Sequence, residues 1–158
     1  MLSDEELQDL YKDRIGAEAR ALFFADQASR FHSLGRDLTF ATIELSSGAA
    51  AGFLGKFNPL WASGFALLAA IVSAANFALQ IQRRAVEASG LQAKWNQVAL
   101  DLKALWYTWS TDEASARLAA IQAQEVDLSS KGATFSENPK AMIKWETMVH
   151  KEYGLPTV

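Results

Sequence analysis

The feature that most constrains this chain is a long stretch from Phe57 to Gln82 that contains no Asp, Glu, Lys or Arg. Its middle, LWASGFALLAAIVSAANFAL, covers residues 60–79. At a rise of about 1.5 Å per residue, a helix of this length crosses a hydrocarbon core of roughly 30 Å. A soluble helix of the same length needs a solvated polar face, which this stretch lacks. The stretch therefore predicts a membrane-spanning helix over residues 60–79.

A second apolar segment lies just upstream, over residues 38–55, and carries a single charge, Glu44. Between the two segments, Lys56 to Pro59 forms a short polar turn whose proline suits the first turn of a helix. Together they predict a transmembrane helical hairpin. Because the first segment is short and rich in Ala and Gly, two buried helices of a soluble bundle are the competing interpretation.

The N-terminal segment predicts an amphipathic helix over residues 3–34. Ser3-Asp4-Glu5-Glu6 has the pattern of a capping box, in which Ser3 caps the helix and Glu6 reaches back. Apolar residues then recur at helical spacing, and Gly35 predicts a bend or a join before the first span.

After the second span we predict a long helix over residues 80–126. Ser110 to Glu113 resembles a second capping box, so this helix is expected to break there and restart. Asp127 to Glu137 is rich in Ser, Gly and Thr and predicts a loop, after which Asn138-Pro139 begins a last helix. The fold class predicted is an all-α membrane protein, a transmembrane hairpin flanked by long cytoplasmic helices and oligomeric.

Part of the long helix carries an a/d pattern, which we call the α3 seam. Its members step by three or four and are Leu91, Trp95, Val98, Leu102, Leu105 and Trp109. Such a pattern packs one helix along another, here the N-terminal helix or the same helix of a neighbouring subunit. The aromatic residues in and beside the seam also suit a base-stacking site, but the periodicity favours a packed core.

Basic residues near the span ends predict the topology. They are Arg30, Arg36, Arg83, Arg84 and Lys94 on the side of the termini, against Lys56 alone in the hairpin turn. The positive-inside rule then places both termini in the cytoplasm of a multi-pass protein of the cell membrane.

Glu44 is the candidate functional residue that stands out, because an ionised carboxylate facing lipid at mid-span costs roughly 2.5–3.5 kcal/mol. One interpretation is a ring of carboxylates lining a cation pore in an oligomer, with Ser47 on the same face. The other is an interfacial Glu that reaches the headgroups or pairs with an arginine such as Arg36 of a neighbour.

Small and polar residues predict how the two spans pack. Gly48 and Gly52 form a GxxxG pattern, which lets helix backbones approach closely. On the second span, Ser73, Asn76 and Gln80 share a face. They line a polar path or form hydrogen bonds between helices.

Composition argues against several other classes of function. With no cysteine, thiolate chemistry and disulfides are excluded. His32 and His150 have no metal-ligand spacing around them, so we expect no metal and no other cofactor. A net charge of −3 without a basic cluster argues against nucleic-acid binding. We find no nucleophile elbow, no Gly-rich phosphate loop and no convincing acid/base pair, and we expect no enzyme.

The order of parts resembles the SLATT family of prokaryotic two-span membrane proteins. The similar features are AEARALFFADQASRFHSLGRDL leading into the first span, the turn at Asn58-Pro59, the second span, and the helix EASGLQAKWNQVALDLKALW. The resemblance covers residues 8–128 and implies a two-span domain over residues 1–128, followed by a loop and a helix over residues 129–158.

The resemblance implies a bacterial conflict or antiviral effector that forms pores in, or disrupts, the inner membrane. The leading hypothesis is a homo-oligomeric pore in membrane lipid, triggered through its cytoplasmic helices by a separate sensor protein or a nucleotide second-messenger system. The alternatives are a membrane-anchored scaffold without conductance, whose cytoplasmic helices bind a partner protein, and a fully soluble bundle.

Overall fold

The computed structural model describes residues 1–54, 59–135 and 139–153. Within these ranges every regular element is a helix, which confirms the predicted all-helical class. The helices are α1 (Asp4–Leu54), α2 (Pro59–Leu79), α3 (Ile81–Tyr107), α4 (Ala114–Gly132) and α5 (Pro139–Glu152). Of the predicted turn over Lys56–Pro59, residues 56–58 lie outside the described residues, as does the predicted cap at Asn138, and Pro59 is the first residue of α2.

The helices form two compact units. The terminal unit contains Met1–Asp26 and Ala88–Val158, and the apolar unit contains Gln27–Glu87. The predicted division near residue 128 does not follow these units, since α1 and α3 each contribute residues to both.

The start of α1 is the predicted capping box. The Ser3 amide donates to Glu6 Oε2 at 2.8 Å, and the Glu6 amide donates to Ser3 Oγ at 3.3 Å. Two of the orphan amides at the helix start are thereby satisfied. The residues before the helix are also held, because the Leu2 amide donates to the Trp109 carbonyl at 2.9 Å.

The predicted bend or join at Gly35 is not a join between two helices, because α1 continues through this residue to Leu54. An isolated glycine costs a helix only about 1 kcal/mol, which packing readily offsets. Here a Cβ on Gly35 would lie 3.4 Å from Ile81 Cγ2, so α1 and α3 are neighbours at this point of the apolar unit.

The predicted helix over residues 80–126 is two helices. The expected break is present over residues 108–113, but the capping box there is not, since Glu113 precedes α4 with no side-chain cap. The predicted loop over Asp127–Glu137 begins too early, because α4 continues to Gly132, whereas residues 133–135 lie outside any helix. Leu128 is buried, and Lys131 pairs with Asp127 one turn earlier, so this polar stretch stays helical.

The α3 seam packs inside the terminal unit. Leu91 of the seam is buried, and four other seam residues are fully buried: Trp95, Val98, Leu102 and Leu105. The N-terminal part of α1 lies against α3, with the Arg20 guanidinium over the Trp95 ring at 4.8 Å and the Tyr11 and Trp106 rings 6.1 Å apart. Trp109 departs from the prediction, since it follows the end of α3 and remains 37% exposed.

Helix α5 packs on the same end of α1. Val149 forms an apolar cluster with Ile15 and Ala19, and Tyr11, Trp145 and Tyr153 surround it. Beside this cluster the Tyr153 hydroxyl donates to the Glu18 carboxylate at 2.8 Å and accepts from Arg14 at 2.6 Å. The C-terminal helix is thus fixed to α1 by both apolar and polar contacts.

Candidate functional site

Helix α2 exposes its large side chains and buries small ones. From Leu60 onward only Ala62 and Ala69 are buried, whereas Leu60 is 80% and Phe77 87% exposed. We call the exposed set the apolar surface of α2; it comprises Leu60, Trp61, Phe65, Leu67, Leu68, Ile71, Phe77 and Leu79. A helix buried in a soluble core has the opposite arrangement.

One helical stretch among the described residues, beginning at Leu60, is long and apolar enough to cross a membrane by length and composition. The same criterion does not select the predicted first span over residues 38–55, which belongs to α1 and ends outside the described residues.

The predicted GxxxG residues lie where α1 meets α2. A Cβ on Gly52 would come within 2.9 Å of the Ala62 Cβ, and one on Gly48 would lie 3.7 Å from the Phe65 ring. Gly52 therefore sets the separation of the two backbones, and Gly48 faces an aromatic ring with room for a methyl group.

A sharp break separates α2 from α3 at Gln80. Its φ of 48° lies in the left-handed region, which a residue with a side chain rarely adopts. The Gln80 amide donates to the Phe77 carbonyl at 3.2 Å, and the Arg84 amide to the Gln80 carbonyl at 3.0 Å. One residue therefore ends α2 and starts α3 with no intervening loop.

A cavity of about 620 Å³ lies at this break, within the apolar unit, and we call it the Gln80 cavity. Its lining combines hydroxyls, amides and one guanidinium with apolar side chains: Thr39, Thr42, Ile43, Ser73, Asn76, Phe77, Gln80, Ile81, Gln82 and Arg83. The structure thus brings together three of the predicted polar residues, Ser73, Asn76 and Gln80.

The polar groups of the Gln80 cavity differ in what they bind. Thr39 and Thr42 donate to carbonyls of their own helix at 2.8 and 2.9 Å. Arg83 donates to Glu87 at 2.8 Å and to the Gln80 side-chain oxygen at 3.4 Å. Ser73 and Asn76 make no side-chain hydrogen bond to the part of the chain that the structure describes.

Glu44 and Ser47 lie elsewhere. Both are exposed on α1, and neither lines the Gln80 cavity. Within the described ranges Glu44 has no ion-pair partner. Its neighbours Phe40 and Ile43 are exposed apolar residues, so the carboxylate lies on an otherwise apolar stretch of surface.

The sequence analysis did not identify Thr39, Thr42, Gln82 and Arg83 as residues of the Gln80 cavity. The two threonines are three residues apart on one face of α1, a spacing that identifies a polar stripe. Gln82 and Arg83 gave no such signal, because their inclusion depends on the break at Gln80.

The terminal unit has a cavity of its own, of about 410 Å³. Aromatic residues from α1 and α3 line it together with residues of α4 and α5: Arg20, Phe23, Phe24, Trp95, Leu128, Ser129, Gly132, Met142, Ile143 and Glu146. The Trp95 indole Nε1 is buried and has no hydrogen-bond partner among the described residues.

A titratable group lies close by, where α4 packs on α1. Burial raises the pKa of Glu125 to about 7, the charge of Asp13 adds to the rise, and Arg20 opposes it. One Glu125 oxygen is buried without a hydrogen-bond partner in the described structure. The nearby Gln122 side chain donates to Asp13, at 2.9 Å, and not to Glu125. The buried Glu125 oxygen is therefore an acceptor without a donor in the described structure.

No group of three or more His, Asp or Glu side chains in the described ranges is arranged to hold a metal ion. Comparisons with protein-family models, with curated proteins and with solved structures find no match.

Proposed function

We propose that the chain is a two-span protein of the bacterial inner membrane that assembles into a cation-conducting pore. The spans are the first predicted span over residues 38–55, of which α1 covers the part to Leu54, and α2. The observation that carries the proposal is the apolar surface of α2, which leaves large side chains exposed and packs only small ones.

The energetics of that surface favour lipid over water. Each Å² of apolar surface left in water costs about 25 cal/mol, and soluble monomers rarely expose large contiguous apolar patches. In lipid, large side chains face outward and small residues such as Gly52 and Ala62 form the helix contact. The arrangement of α1 and α2 follows this second pattern.

Glu44 supports a hydrated path between subunits. Its exposed carboxylate has no partner in the described part of the chain, and lipid contact at mid-span is costly. A homo-oligomer that turns Glu44 and Ser47 toward a shared water-filled centre removes that cost. Such a ring of carboxylates attracts cations.

The basic residues Arg30, Arg36, Arg83 and Arg84 favour cytoplasmic termini, which places the terminal unit in the cytoplasm. With the resemblance to the SLATT family, this arrangement suits an effector of a conflict or antiviral system. A separate sensor or a nucleotide second messenger would then act through the terminal unit.

The α3 seam is an unsuitable assembly surface, because Trp95 and Leu102 are already fully buried in the terminal unit. We therefore assign subunit contacts to the apolar unit rather than to the seam.

A membrane-anchored scaffold is the second candidate. The terminal unit exposes apolar side chains that suit a protein partner, among them Leu100, Tyr107, Val126 and Ile143. In that case Glu44 has no role in ion conduction.

Ion leak from liposomes tests the proposal. Purified protein is reconstituted into liposomes loaded with a cation-sensitive dye, beside Glu44→Gln and the matched control Glu152→Gln, which changes an exposed carboxylate of α5. We expect cation leak that Glu44→Gln reduces and Glu152→Gln does not. Equal leak from both variants removes Glu44 from the path, and tight liposomes containing inserted protein indicate either the scaffold or a pore that stays closed until its trigger is supplied.

A further inference from the structure

The Gln80 cavity contains polar groups that the protein itself does not satisfy. Ser73 and Asn76 line it without a side-chain hydrogen bond to any described residue, although both belong to the apolar helix α2. Polar groups without a hydrogen-bond partner are unfavourable where apolar surroundings keep water away from them. A ligand with oxygen acceptors would satisfy them.

The available donors favour an anion. Thr39 and Thr42 already donate their hydroxyl hydrogens to α1 carbonyls. The Ser73 hydroxyl and the Asn76 amide remain as donors beside the cavity, together with the Arg83 N–H groups that do not already donate to Glu87 or Gln80. A planar guanidinium with neighbouring amide and hydroxyl donors is suited to phosphate oxygens.

The apolar rim indicates the source of the phosphate. Ile43 and Phe77 line the same cavity and are exposed, and the apolar surface of α2 continues from Phe77. A headgroup in the cavity can therefore extend an acyl chain along α2. A free phosphate ion leaves that rim uncovered.

We propose that the Gln80 cavity binds the headgroup of an anionic phospholipid. This inference rests on the proposed membrane placement of α2. The break at Gln80 brings Arg83 to the end of the apolar helix, at the level where headgroups lie.

Arg83 and Arg84 form a matched pair for the test. Arg83 lines the cavity, whereas its neighbour Arg84 is exposed outside it. Glu87 accepts a hydrogen bond from Arg83 at 2.8 Å and competes with a phosphate for that guanidinium. Arg83→Gln should therefore weaken binding, Arg84→Gln should leave it unchanged, and Glu87→Gln should strengthen it.

The experiment measures lipid retention by native mass spectrometry. The full chain is reconstituted with phosphatidylcholine containing a minor share of phosphatidylglycerol, and co-flotation with vesicles is checked in the same preparation. After mild detergent extraction we expect retained phosphatidylglycerol to fall about tenfold in Arg83→Gln, as for loss of one charge-assisted hydrogen bond. Asn76→Leu, which keeps α2 apolar, should reduce retention without reducing co-flotation.

Four outcomes overturn the inference. Equal losses in Arg83→Gln and Arg84→Gln show general attraction to charge rather than a site. If inorganic phosphate or glycerol 3-phosphate occupies the Gln80 cavity in place of the lipid, the cavity is a site for free phosphate. Co-flotation without retained phosphatidylglycerol rejects the lipid site alone, whereas absence of co-flotation rejects the membrane placement as well.

Discussion

Gly52 on α1 faces Ala62 on α2 so closely that a methyl group on Gly52 would lie 2.9 Å from the Ala62 Cβ. Real Cβ atoms do not approach so near, and the Ala62 Cβ cannot move without its backbone. This pair of small residues therefore fixes the distance between the two helices that we assign to the membrane.

Gly52→Ala should destabilise the apolar unit, and Gly48→Ala serves as its control. Both substitutions gain up to about 1 kcal/mol of helix propensity. Only the substitution at Gly52 forces two atoms too close together, and this overpacking costs about 1–3 kcal/mol of stability. The two variants are compared by the midpoint temperature of heat-induced aggregation in detergent. A difference of about 1 kcal/mol in stability shifts that midpoint by about 2–4 °C. Equal midpoints for the two variants would show that α1 and α2 separate freely.

Trp95→Ala combined with Leu102→Ala should unfold the terminal unit, because both side chains are fully buried there. Each large-to-small change costs about 2–5 kcal/mol in a packed core. Near-ultraviolet circular dichroism should be lost while co-flotation with vesicles persists, since α2 lies in the other unit.

Trp109→Ala is the matched control for that double variant, because Trp109 follows α3 and is partly exposed. It should retain most of the near-ultraviolet signal. If the double variant instead keeps its signal and loses only oligomers, the seam is an assembly surface after all.

The stability of the terminal unit should fall as pH rises from about 4.5 to about 7. The pKa of Glu125 is raised from 4.5 to about 7 in the folded chain. Below both values the carboxyl is protonated in either state. Between them the unfolded chain loses its proton first, so folding becomes less favourable, and above pH 7 the loss is complete.

The size of that loss is about 1–2 kcal/mol, because partial exposure of Glu125 screens the full effect of about 1.4 kcal/mol per pKa unit. Thermal unfolding of the full chain in non-ionic detergent across this pH range measures it. Glu125→Gln should flatten this fall in stability with pH. If the variant retains the whole pH dependence, other groups cause it.

Local patterns predicted those parts of the fold that depend on neighbouring residues. The capping box at Ser3 and Glu6, the helix over residues 60–79 and the buried seam from Leu91 to Leu105 all follow from short-range spacing. Each signal repeats within one or two helical turns, where sequence and structure are directly linked.

Features that depend on tertiary packing were not predictable. Gln80 has no special preference for the left-handed region, so its break gave no signal. Glu125 is an ordinary carboxylate on an amphipathic helix until tertiary packing buries it and brings the charge of Asp13 near. At Trp109 the periodicity continues beyond the helix that carries it, which is why the seam was extended too far.

The central claim is that the apolar surface of α2 lies in lipid, and single cysteines test it most directly. The chain contains no cysteine, so each introduced thiol is the only one. Leu68→Cys and Ile71→Cys place thiols at positions 50% and 56% exposed on α2. Val126→Cys is the matched position on α4, at 71% exposed.

A water-soluble maleimide is applied to cells before and after permeabilisation. We predict that Val126→Cys reacts only after permeabilisation, whereas Leu68→Cys and Ile71→Cys remain unlabelled until detergent removes the lipid. Both α2 positions are exposed in the single chain, so protection that detergent removes indicates the bilayer, whereas protection that persists in detergent indicates a subunit contact. Rapid labelling of all three in a detergent-free cytosolic fraction would contradict the account and identify a soluble helical bundle.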